Sequence, residues 1–168
     1  MKRLLTMALA AALLAPPASG EGKWLQTPYQ PPKVLFEFYL DNPQKIGSAL
    51  FWVRSLLNTL SEAPYAYPPE DMNIVIVLHG TEIVTTAKKN EASYQEVVDR
   101  MRYYADLGVQ FKVCGQAAEE YGYSAKDFQA FIDVVPNAIP ELAHWQQQGY
   151  ALIIPQIFEK KLDIDKIR

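Results

Sequence analysis

The sequence predicts a single α/β domain: a mostly parallel, doubly wound sheet of five strands with helices on both faces. Three observations carry this reading. Apolar runs of β character alternate with segments of 3.6-residue periodicity along the chain. The run Asn73 to Leu78, NIVIVL, is apolar at consecutive positions, as a central strand buried on both faces requires. Residues 21–168 suffice for one hydrophobic core and are too few for two comfortable ones.

The first twenty residues stand apart. Lys2 and Arg3 precede an apolar run from Leu4 to Ala15, followed by Pro16, Pro17 and Ala18-Ser19-Gly20. A charged start, an apolar centre and small residues before the cut describe a secretory signal peptide. Cleavage after Gly20 leaves a mature chain from Glu21, expected in the periplasm. The run is well short of the roughly 20 residues of a membrane span, so no membrane association is expected after cleavage.

A proline-rich lead, Trp24 to Pro32, comes before the first predicted strand, Lys33 to Leu40, KVLFEFYL. Asn42-Pro43 then provides a helix cap and a proline at the first helical position. Ile46, Ala49, Leu50, Val53, Leu57 and Leu60 recur on one face of the helix that follows, whereas Phe51 and Trp52 lie away from that stripe. These two rings belong either to a wide core face or to a subunit contact. A loop rich in proline and tyrosine, Ser61 to Asp71, leads into NIVIVL and the turn His79-Gly80-Thr81-Glu82. Ser93 starts a helix that runs to Leu107 with Val97, Val98, Met101, Tyr104 and Ala105 inward, and Gly108 stops it.

Val109 to Val113 is the third strand, with Cys114 at its carboxyl end, and a short helix from Gln116 to Tyr121 follows. Ser124-Ala125-Lys126-Asp127 is an acidic variant of the capping box. Ile132 to Val135 is a brief strand, Asn137 caps a helix that tolerates Pro140 in its first turn and stops at Gly149, and Tyr150 to Ile154 is the last strand. The charged tail from Phe158 frays or docks as a helix. No internal repeat or low-complexity tract interrupts this order.

Composition narrows the chemistry. The net charge is −3, with no basic stripe for a phosphate backbone, so a nucleic-acid partner is not expected. One cysteine permits no internal disulfide, which leaves Cys114 as buried filler, intermolecular partner, metal ligand or reagent. No GxSxG elbow, P-loop, GxGxxG fingerprint or HExxH helix is present. No cofactor is expected, and no short ligand spacing joins His79, His144 and Cys114 into a metal site.

Ligands of open parallel sheets bind outside the carboxyl ends of the strands. His79 and Cys114 both stand there, each followed by a glycine, Gly80 and Gly115. A switch in strand order between strands two and three would let them face one crevice. The amides of Gly115, Gln116 and Ala117, at the start of the next helix, would favour thiolate over thiol at Cys114. His79 is either a histidine bonded to nearby backbone or a general base, ligand orienter or metal ligand. Gly80 and Thr81 complete the candidate ligand-binding set.

The ordered segments VLFEFYL, VLHGTE, YYADLGVQFKVCGQAAEEYG and VPNAIPELAHWQQQGYALI resemble the DsrE/DsrF-like family of sulfur relay, which includes TusD-like carriers. G-V-x-x-x-V-C-G is the most specific element. The resemblance implies a five-stranded parallel α/β domain assembling as a homotrimer or larger ring. It implies a persulfide on Cys114, with His79 near the crevice, and protein or small-molecule sulfur donors and acceptors as partners. Ala117 and Ala118 stand where some relay members have a second cysteine. The function so implied is a periplasmic sulfur carrier or sulfurtransferase; the rival is a non-catalytic, oligomeric module of the same fold that binds a small ligand or metal.

Overall fold

A computed structural model describes residues 20–168; the predicted signal peptide lies outside the described residues, save Gly20. Five strands form one sheet: β1 (Lys33–Phe38), β2 (Asn73–Leu78), β3 (Gln110–Cys114), β4 (Ile132–Val135) and β5 (Ala151–Ile153). Their order is β4-β3-β2-β1-β5, and every neighbouring pair is parallel. The chain therefore builds outward from β1 to β4 and then returns across the sheet to lay β5 on the other side of β1. The switch in strand order falls between β1 and β5, not between β2 and β3 as the crevice reading supposed.

Strand parity divides the sheet into two unequal faces. Phe36, Phe38, Ile74, Ile76, Leu78, Phe111 and Val113 form the larger core with α1 (Ile46–Ser61) and α2 (Glu91–Asp106). On α1 the buried residues are Ile46, Ala49, Leu50, Val53, Leu57 and Leu60, the predicted stripe without addition or omission. Removing one such side chain, as in Leu50→Ala, costs about 2–5 kcal/mol, because the lost transfer energy is joined by a cavity. Phe51 and Trp52 project from the same helix and are 51% and 39% exposed.

The start of α1 is set locally. Asn42 Oδ1 accepts the Gln44 N–H and Pro43 opens a short 3-10 turn, Pro43–Lys45, that runs into the helix. The backbone of α2 departs from helical angles at Tyr94, next to the predicted start at Ser93, and the helix begins a little earlier, at Glu91. It stops at Gly108, whose φ of 93° lets Gly108 and Val109 return their amides to Ala105 and Tyr104.

The second face is smaller. Leu35, Val75, Val77 and Cys114 pack beneath Ala138 and Leu142 of α4 (Ala138–Gln147), with Ala117, Trp145, Tyr150 and Leu152 at the margin. The short helix α3 (Gly115–Glu120) directly continues β3. Asp127 accepts the Ser124 backbone N–H and hydroxyl, so the acidic capping pattern forms as read and supports a 3-10 turn, Ala125–Asp127. The tail carries one further 3-10 turn, Ile164–Lys166. Among the described residues, no helix is long and apolar enough to cross a membrane.

Candidate functional site

Cys114 ends β3 opposite Val135 of β4, and its side chain points to the α4 face. The link from β4 to α4 is only Pro136 and Asn137, so the first turn of α4 lies directly over the end of β3. An α-helix leaves its first amides without internal partners. Here Asn137 Oδ1 accepts the Ile139 N–H at 2.8 Å, and Cys114 Sγ accepts the Ala138 N–H at 3.3 Å. The amide held to the sulfur thus comes from α4. Of the amides of Gly115, Gln116 and Ala117, expected to favour the thiolate, that of Gln116 donates to the Pro136 carbonyl.

Their contacts are specific. A methyl group on Gly115 would stand 2.9 Å from the Val135 carbonyl, so only glycine allows β3 to turn into α3 against β4. Gln116 N–H donates to the Pro136 carbonyl, and Gln116 Oε1 accepts from Asn137 Nδ2, which ties α3 to the start of α4. Ala117 is half-buried and packs against both cores. Gly115 and Gln116 also line an open cleft of about 500 Å³ beyond β4 whose walls include Tyr123, Val134 and Pro136 but not Cys114.

Cys114 is only 5% exposed. The sequence reading expected an open thiol; the structure encloses it under Ala138 and Leu142. A long strand-to-helix loop would have left a crevice, and two residues cannot.

His79 sits one residue beyond β2. The β2–β3 register ends with Leu78 opposite Val113, and His79 and Cys114 are the next residues of the two segments. The sulfur's hydrogen bond nevertheless goes to Ala138 and not to the imidazole. His79 Nε2 donates to Glu37 Oε1 at 2.9 Å, with the side chains 12% and 18% exposed. A carboxylate only accepts, so the bond places a proton on Nε2, and Nδ1 is the nitrogen that Glu37 does not engage. Tyr39 stacks on the imidazole, with ring centroids 4.7 Å apart and planes 16° from parallel.

The turn after β2 is a clamp on β1. Glu82 is fully buried, and its carboxylate accepts three backbone N–H groups: Leu40 at 2.9 Å on Oε2, and His79 at 2.9 Å and Gly80 at 2.8 Å on Oε1. Burial pushes the Glu82 carboxyl above its ordinary value, against the opposing pull of these amides. Thr81 donates both its N–H and its hydroxyl to the Leu40 carbonyl. A methyl group on Gly80 would fall 2.5 Å from Leu40 N. Gly80 and Thr81 therefore spend their contacts on the β1 exit, and through it they hold His79 against Glu37.

Glu37 is the residue that sequence reasoning passed over. Its signal was a lone carboxylate in the run VLFEFYL, at the parity of Leu35 and Tyr39. Lys112 shares the parity of Cys114; its ammonium lies 3.3 Å from Asp133 and above the Trp145 ring, 5.7 Å from its centroid. His144 packs edge-on to Trp145. Among the described residues, no three His, Cys, Asp or Glu side chains converge as a metal site.

Comparison with known proteins follows the same lines. The model of the DsrE/DsrF-like family matches residues 33–155, from the start of β1 to just past β5. A solved structure of a protein of unknown function from Methanobacterium thermoautotrophicum superposes with a TM-score of 0.55. It shares 19% identity, and the match covers 74% of this chain and 99% of that one, a likeness of fold. No curated protein matches the chain.

Proposed function

The chain belongs to the DsrE/DsrF-like family, many of whose members act in sulfur relay, and from that premise we propose that it carries sulfane sulfur as a persulfide on Cys114. The observation that supports this is the sulfur itself: at the carboxyl end of β3, it accepts the first amide of a ten-residue helix, and it follows Val113 as His79 follows Leu78, the strand partner of Val113. A helix amino terminus favours an anion, and a thiolate is the nucleophile the chemistry needs.

In the forward step the Cys114 thiolate attacks the outer sulfur of a donor persulfide. The donor S–S bond breaks as the new S–S bond forms, and the electron pair leaves with the donor as a thiolate. The outer sulfur keeps its proton or, where the His79 ring is neutral, loses it to Nδ1 of a ring held by Glu37 and Tyr39. Attack by an acceptor thiolate on that outer sulfur reverses the exchange. No external oxidant enters. Because the thiol is enclosed, transfer requires the Asn137–Ala138 turn to move aside, which shelters the persulfide from overoxidation between encounters.

The test is intact-mass analysis after treatment with a low-molecular-weight persulfide. One added sulfur is expected in the wild type and none in Cys114→Ala. Absence of the adduct with several donors in the wild type refutes the carrier. We further propose that the mature chain works in the periplasm as a homotrimer, with Phe51 and Trp52 in the subunit contact. Mass determination in solution, with and without Phe51→Ser and Trp52→Ser, tests the assembly.

A second reading draws on the enclosure of Cys114. A thiol that serves only to cap α4 would leave a non-catalytic binding module of the same fold. It predicts that Cys114→Ser, which retains an acceptor for the Ala138 amide, changes nothing except stability.

A further inference from the structure

The switch in strand order between β1 and β5 opens a cleft lined by neither Cys114 nor His79. Its volume is about 510 Å³, within the range of small-ligand sites. Glu37, Tyr39 and Lys45 stand on the β1 side, and Ile154, Pro155 and Phe158 are among the residues following β5. In open parallel sheets the crevice at the switch point, outside the carboxyl ends of the strands, is where ligands bind.

The polar groups of this cleft are not equivalent. Lys45 Nζ is engaged by Asp41 at 2.8 Å, so these two rim charges offset each other. Glu37 Oε1 accepts from His79, whereas Oε2 takes no hydrogen bond among the described residues and is not sealed from solvent. Tyr39 is 70% exposed and covers the imidazole with one face of its ring, so its other face is free. Ile154, Pro155 and Ile157 supply an apolar wall. Beside the neutral Tyr39 hydroxyl and Gln156 amide, Glu37 Oε2 is thus the open anionic oxygen of this lining, held in orientation by its partner next to an aromatic face and hydrocarbon.

We propose that this cleft binds a small organic amine. Its ammonium group donates to Glu37 Oε2, and its apolar arm lies along Ile154 and Pro155 against the Tyr39 ring. An anion would meet Glu37 and Asp41 and find Lys45 already paired. The site is separate from Cys114, which lies two strands away on β3.

The experiment is amide NMR titration of the mature chain with benzylammonium chloride, with benzoate and benzyl alcohol as charge controls. Saturable shifts confined to residues 37–41, 79 and 154–158 are expected with the cation, at least tenfold weaker binding in Glu37→Gln, and none with benzoate. Tyr39→Ala, at an exposed position, should weaken the cation several-fold without disturbing the fold. Cys114→Ala should bind as the wild type does, which separates this site from the carrier reading. Equal shifts from benzyl alcohol, undiminished binding in both Glu37→Gln and Tyr39→Ala, shifts elsewhere or no shifts would each overturn the proposal.

Discussion

Replacing Glu82 by glutamine tests whether the clamp between β1 and β2 is electrostatic in the way its geometry implies. The carboxylate accepts three amides on two oxygens. A carboxyl that takes up a proton still has a lone pair on each oxygen, but a glutamine amide nitrogen has none. With its carbonyl in the Oε1 position, the introduced side chain would keep the His79 and Gly80 bonds and set an NH₂ against Leu40 N–H. Leaving one buried donor unpaired costs about 1–3 kcal/mol. Removing a buried charge returns part of that, since burial disfavours the ionised form. The net expectation is a loss of about 2 kcal/mol, which for a domain of this size lowers the melting temperature by about 4–8 °C. Urea denaturation should show a lower midpoint with an unchanged slope. Glu82→Ala strips all three amides of their acceptor, and its cost approaches the whole stability of an ordinary domain. A glutamine variant within about 0.5 kcal/mol of the wild type, or more stable, would refute the clamp.

Titration of Glu82 supplies a second check. A folded-state value raised above the unfolded one means that the native state holds the proton more tightly. Its contribution is therefore complete below about pH 4.5 and declines as pH rises through the folded value. Measured against Glu82→Gln across that window, the wild type should gain stability as the pH falls; an unchanged or opposite difference sinks the assignment. Gly80→Ala should cost several kcal/mol, because the added methyl group meets Leu40 backbone on one side and Glu82 Oε2 on the other, and chemical denaturation would expose a tolerated methyl as an error in the packing described. Asn137→Ala removes the α4 cap and should cost about 1 kcal/mol. The same change should speed alkylation of Cys114 several-fold, by loosening the turn that covers it; an unchanged rate at lowered stability would mean that reagents reach the thiol by another route.

The periodicities of the chain were enough to place every strand and the four main helices, since the spacing of apolar residues at 2 or 3.6 is a local property. The α1 stripe shows this best: six residues were named from spacing, and those six are buried. The family resemblance was legible for a related reason, because G-V-x-x-x-V-C-G combines a helix stop, a strand and a strand-to-helix turn in one short segment. What surrounds a side chain at a strand end was not legible. Cys114 was expected open beside its own helix, yet its sulfur is enclosed by α4, a helix 24 residues further along. Glu37, unremarkable inside an apolar run, became the partner of His79 only when β1 and β2 lay side by side. Strand order, too, is a long-range choice, and the return of the chain past β1 put the switch in strand order at the β1–β5 boundary and not between β2 and β3. Local spacing decides which face of each element is apolar; only the packing of elements distant in sequence decides which polar atoms meet, and how open the meeting place is.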